Sequence, residues 1–144
     1  MGGRASALGA ERMRQVILAG LVVLGAGAGI YLLSGRDDES VVVDVQIPPL
    51  DIAEQRGATL YAQNCASCHG ENGAGRDGVG PPLVHIIYEP SHHPDGAFYA
   101  AVQLGVRAHH WSFGDMPRQS HVTEPEIAQI IAYIRAVQRA NGIQ

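Results

Sequence analysis

The chain has only two cysteines, and they stand three positions apart with a histidine directly after the second: Cys65-Ala66-Ser67-Cys68-His69. Three chemistries use so close a pair. A dithiol redox centre belongs in an alternating strand and helix pattern, which is absent around these residues. Half of a zinc site is arithmetically possible, because the chain holds seven histidines. Zinc, however, supplies no reason for an imidazole immediately after the second thiolate. The third chemistry uses the two thiols and the histidine together. Thiols at this spacing can add to the two vinyl groups of one haem, while the adjacent imidazole is held under the iron as its proximal ligand. A chain with that task must fold around a flat, apolar macrocycle.

Residues 16–33, VILAGLVVLGAGAGIYLL, form an uncharged run of 18 residues. As a helix it would span about 27 Å, close to the hydrocarbon thickness of a bilayer. Arg4, Arg12 and Arg14 precede it, whereas Arg36 stands among Asp37, Asp38 and Glu39 after it. That asymmetry keeps the N-terminus in the cytoplasm. The expected layout is a cytoplasmic N-terminus over 1–15, a transmembrane signal-anchor over 16–33, a periplasmic linker over 34–51 and a haem domain over 52–144, held at a bacterial inner membrane. A cleavable signal peptide is the alternative, with Ala26-Gly27-Ala28 as the small-residue site and a soluble periplasmic product. Cleavage there would leave the apolar stub Ile30-Tyr31-Leu32-Leu33, and the run is longer than an ordinary signal h-region. The uncleaved anchor is preferred.

Pro48 and Pro49 favour extended backbone in the linker, although Val41 to Val45 could add a short strand to another element. From Asp51 the pattern turns helical, with Ile52, Leu60 and Tyr61 as apolar marks, and a glycine-rich loop follows from Gly70 to Gly80. A middle helix is expected over Gly96 to Gly105. The last helix is the clearest. Thr123 and Glu126 make a capping box, Pro125 is tolerated in the first turn, and Ile127, Ile130, Ile131, Ile134 and Val137 form one stripe that stops near Asn141-Gly142. The chain contains no lysine, and residues 52–144 carry six arginines against eight carboxylates. This balance argues against a nucleic-acid partner.

Over roughly residues 52–142 the chain resembles the class I, single-haem cytochromes c. Gly57, Tyr61 and the C-x-x-C-H motif fall where that family places a small residue and an aromatic on its first helix, and Tyr133 in IIAYIRAV resembles the answering aromatic of its last helix. The resemblance implies that these two helices cross at Gly57. Gly80-Pro81-Pro82-Leu83 resembles the family's Gly-Pro-x-Leu loop, which implies that the Pro81 carbonyl accepts a hydrogen bond from His69 and that Leu83 lines the haem pocket.

Met116 is the foremost candidate for the second axial ligand, since Met1 and Met13 lie at or before the apolar run. Gly114-Asp115-Met116-Pro117 resembles the family's distal loop. Ligation by His109, His110 or His121 is the rival. The resemblance also makes Trp111 a candidate donor to a haem propionate, with core packing as the other possibility.

The implied fold is all-α, three to five short helices around one covalent haem c, preceded by the single transmembrane helix. The implied function is electron carriage between membrane or periplasmic redox proteins, with the lipid bilayer as the other partner and no catalysis by the chain itself. Two alternatives stand beside it: an electron-entry haem subunit of an oxidase or dehydrogenase complex, and a haem centre with a labile distal ligand that acts on peroxide or gas. The chain departs from many such carriers in lacking lysines for cationic docking. His92-His93 and His109-His110, with His85 and His121, exceed what a carrier needs. A second metal site, copper included, is conceivable, but solvated loop histidines or propionate partners are the preferred reading.

Overall fold

The structure is a computed structural model and describes residues 41–144; the proposed anchor at 16–33 lies outside the described residues. Among the described residues no helix is long and apolar enough to cross a membrane. Four α-helices follow in order: α1 Ile52–Asn64, the single-turn α2 Ala66–His69, α3 Asp95–Leu104 and α4 Glu124–Ala140. Short 3-10 turns occupy Glu71–Gly73 and Ile86–Tyr88. No strand forms among the described residues, which hold only two isolated bridges, Arg76 with Gly80 and Val106 with Met116.

Local chemistry starts both long helices. Asp51 caps α1: its carboxylate accepts from the Glu54 N–H at 2.8 Å, and Glu54 accepts in return from the Asp51 N–H at 2.9 Å. This capping box, written D-I-A-E, satisfies two orphan donors of the first turn. At α4 the Glu126 carboxylate reaches back to the Thr123 N–H and hydroxyl, each at 2.8 Å. Those hydrogen bonds lower the Glu126 pKa.

The core is the crossing of α1 with α4. Gly57 makes it possible, because a Cβ at this position would collide with the Gln129 carbonyl oxygen and lie 2.9 Å from Tyr133 Cβ. Tyr61 and Tyr133 meet beside that contact with ring centroids 5.6 Å apart. Each hydroxyl is spent on the loop after α2: Tyr61 donates to the Gly70 carbonyl and Tyr133 to Asn72 Oδ1, both at 2.9 Å. Asn72 needs that fixing, since it is the sole non-glycine residue of positive φ among those described, at 57°.

Ile127, Ile130, Ile131, Ile134 and Val137 are all buried, as their helical spacing predicts. Two polar residues of the same helix are also buried, which the apolar stripe did not predict. Arg135, 8% exposed, pairs with Asp95 at 2.8 Å and donates to the carbonyls of Tyr88 at 2.8 Å and His93 at 2.5 Å. Gln138 donates to the Leu83 carbonyl at 2.7 Å and accepts from Arg135 at 2.7 Å. Together they staple the irregular segment between Leu83 and Asp95 onto α4.

The segment expected to be linker is not free over its whole length. Val41, Val43 and Val45 turn inward while Val42, Asp44 and Gln46 face out, a period of two without a ladder partner. The Val43 N–H donates to the Ala74 carbonyl at 2.8 Å, and Gln46 exchanges two hydrogen bonds with the Asn141 side chain at the end of α4. Residues 41–50 thus lie docked on the domain as an extended strip. Alternating burial of valines is the physical reason.

Candidate functional site

The sequence around the cysteines folds into one helical turn and then reverses. The His69 N–H bonds to the Cys65 carbonyl at 2.9 Å, and Gly75 returns its N–H to the His69 carbonyl at 2.7 Å. The Arg76–Gly80 bridge closes the loop, while the Arg76 guanidinium donates to the Ser67 carbonyl at 2.6 Å. Gly80 sits where a Cβ would be 2.6 Å from the Cys68 carbonyl oxygen, so only glycine lets the loop approach this closely. The approach delivers the next residue to its partner: His69 Nδ1 lies 2.9 Å from the Pro81 carbonyl oxygen.

A carbonyl only accepts, so Nδ1 carries the proton and Nε2 holds the lone pair. Burial lowers the His69 pKa, partly opposed by the Pro81 carbonyl. The ring is therefore neutral at neutral pH, as a metal-binding imidazole has to be.

Cys65, His69, Pro81, Leu83, Trp111 and Met116 all border one cleft of about 410 Å³. They come from three separate stretches of chain. Met116 is held by reciprocal 2.9 Å backbone bonds with Val106, and Ala97, Ala100 and Ala101 of α3 give the cleft a wall of small side chains. Cys68 is not part of the lining; it stands exposed on the one-turn helix that places Cys65. Trp111 lies in the wall, but its indole N–H donates to the Tyr88 hydroxyl at 3.1 Å. Sequence reasoning missed Tyr88, Phe98 and Ile130 as wall residues. The alanine-rich face of AFYAAVQL was the available signal for α3.

The electrostatics separate the three readings of the cysteine pair. Burial, with a smaller contribution from Cys68, pushes the Cys65 thiol up to about 11. Catalytic dithiols need a lowered pKa, so a thioredoxin-like role is disfavoured. Among the described residues the cluster of potential metal ligands is His92, His93 and His110, without either cysteine. What remains is a pair of thiols beside a largely apolar slot that presents the His69 imidazole and the Met116 thioether, with His93, His109 and His110 also in its lining.

The family model for cytochrome c matches residues 54–138. The chain belongs to the cytochrome c family. It is 35% identical over 110 residues to the cbb3-type cytochrome c oxidase subunit CcoP of Cereibacter sphaeroides, covering 75% of this chain and 32% of that protein. The subunit CcoP of Azospirillum brasilense is 51% identical over 37 residues, 22% of this chain and 12% of that protein. The chain thus spans at most about a third of the length of these curated relatives. No solved structure matches it.

Membership in the cytochrome c family implies covalent haem c, and the cleft fits such a group. It falls within the roughly 300–1,000 Å³ of ordinary cofactor sites, its walls are apolar, and its donor set of soft sulfur with neutral imidazole is that of haem iron.

Proposed function

We propose that this cytochrome c is a one-electron carrier with a single haem c, bonded to Cys65 and Cys68 and held between His69 and Met116 as axial ligands. The observation that carries this reading is the convergence of His69, Met116 and Cys65 on one apolar cleft. The single C-x-x-C-H motif in the chain supports a count of one. When bound, the haem supplies an iron centre that gains and loses one electron.

The chain's residues do the rest. The Pro81 carbonyl holds the proton on His69 Nδ1, fixes the ring's orientation and raises the basicity of Nε2. The Val106–Met116 bridge presents the thioether, a soft ligand that favours the reduced state relative to a second imidazole. If His69 and Met116 both hold the iron, no ligand position is left for a substrate. This favours carriage over catalysis.

Replacing Met116 tests the assignment. Met116→His is expected to keep a low-spin spectrum and lower the reduction potential, because imidazole stabilises ferric iron more than thioether does. Met116→Ala is expected to admit small ligands such as imidazole or azide. Absorption spectra and redox titration of the purified protein read both outcomes. Unchanged spectra and potentials in both variants would move the ligand elsewhere.

A second reading, an electron-entry haem subunit of an oxidase complex, is favoured by the similarity to two CcoP subunits. Purification from native membranes separates the two. A shuttle runs alone, whereas a subunit stays with a large haem-containing partner through mild detergent.

The layout we propose keeps the signal-anchor at 16–33 and places the haem domain in the periplasm, on the strength of the flanking arginines. With no lysine for cationic docking, confinement near the membrane would supply the encounter rate that charge steering otherwise provides.

A further inference from the structure

Six of the seven histidines take no part in the proposed haem ligation. Four of these come together at one edge of the cleft although they lie on two different loops. His92 and His93 have ring centroids 4.7 Å apart; His110 lies 5.4 Å from His92 and 5.3 Å from His93, and His109 stands 4.3 Å from His110. We propose that His92, His93 and His110 form a binding site for one divalent copper or zinc ion, separate from the haem iron.

The ligand nitrogens of these three residues all lie within 4.8 Å of one another. Around a tetrahedral ion with nitrogen bonds of 2.0–2.1 Å, neighbouring nitrogens stand about 3.3 Å apart. Modest side-chain rotation closes the difference, and His92 and His110 are exposed enough to make it. The donor set selects the metal. Three imidazoles without a carboxylate suit copper or zinc, whereas magnesium and calcium require oxygen ligands.

His93 shows the supporting arrangement of a ligand. Its Nδ1 lies 2.6 Å from the Ile87 carbonyl oxygen, so Nδ1 carries the proton and Nε2 is left with the lone pair. A histidine whose other nitrogen donates to a backbone carbonyl is the usual outer-shell geometry of metal sites. His109 is set in the same way by the Arg107 carbonyl at 2.8 Å and stands beside the trio as a candidate fourth ligand. Without it, the fourth position is open to water.

Both loops are built to hold this geometry. Arg135 clamps the first through the Tyr88 and His93 carbonyls. The second is closed by the Val106–Met116 bridge and by the Ala108 N–H donating to Asp115 at 2.8 Å.

The test uses the full, haem-loaded chain in detergent, stripped with chelator and titrated separately with Cu(II) and Zn(II) by calorimetry. One equivalent per haem is expected, with copper the tighter in line with the Irving–Williams order. Nitrogen hyperfine structure should appear in the spin-resonance spectrum of the copper form. His92→Gln, at an exposed position outside the cleft lining, should weaken binding at least about tenfold and leave haem absorption unchanged, which controls for folding. Adding His110→Gln should remove the stoichiometric step. Failure of the wild-type protein to take up either ion, or equal uptake by wild type and the double variant, would overturn the site. The former is the result expected if these histidines serve only solvent or the haem propionates.

Discussion

Changing Cys65 and Cys68 together to alanine is expected to abolish haem retention through denaturation, the largest effect foreseen for this chain. Each thiol would supply one thioether bond, so either single replacement should leave a partial attachment and the double replacement none. The two singles should differ in stability. Cys65 is partly buried against the core, whereas Cys68 is exposed. Losing the Cys65 sulfur removes packing as well as a bond. Denaturing gels stained for haem peroxidase activity read the attachment, and thermal melts of the two single variants read the difference. Haem that survives denaturation on the double variant would refute covalent attachment at these residues. His69 and Met116 would remain in place there, so any haem that binds should be removable by acid acetone.

The second large effect is expected at Gly57. Alanine there gains about 1 kcal/mol of intrinsic helix propensity over glycine, yet its Cβ would meet backbone of α4, with the Gln129 carbonyl carbon only 2.7 Å away. Backbone cannot rotate aside, so α1 and α4 have to separate. Overpacking of this kind costs about 1–3 kcal/mol and sometimes more. Because the crossing is the centre of the core, the upper end applies and outweighs the propensity gain. A net loss of about 2 kcal/mol lowers the melting temperature of a domain this size by roughly 8–16 °C. Gly96→Ala is the matched control, since a Cβ in that part of α3 meets nothing within 4 Å. It should leave stability unchanged or slightly raised. A Gly57→Ala melting temperature equal to that of Gly96→Ala would show that the helices cross with room to spare.

Much of the candidate site was legible because its signals are local. The cysteine pair with its histidine, the Gly80-Pro81 turn and the lone methionine after residue 13 are each read within a few residues, and the structure places His69 Nδ1 2.9 Å from the Pro81 carbonyl. The final helix was legible for the same reason, since period and cap lie in one stretch. What escaped is non-local. The approach of His110 to His92 spans a separation of 18 positions and depends on how two loops fold, which no spacing rule encodes. Arg135 and Gln138 were hidden by their own chemistry: an arginine and a glutamine on a helix look like solvent-facing residues until a loop supplies the carbonyls that satisfy them. The docked strip was obscured because Val42 and Ile47 are apolar yet exposed, which blurs the alternation of Val41, Val43 and Val45.

That docked strip alters the length of the leash. Residues 34–51 could stretch to roughly 60 Å as free chain, but with 41–50 fastened to the domain only 34–40 remain, at most about 25 Å. The volume that a tethered body can sweep scales with the cube of its reach, so with the proposed anchor at 16–33, fastening ten residues would shrink it roughly fifteenfold and raise the local concentration of the haem domain by the same factor. Given the proposed anchor, the bonds from Val43 to Ala74 and from Gln46 to Asn141 act at a distance from the haem. They would then decide how far from the bilayer an electron can be carried.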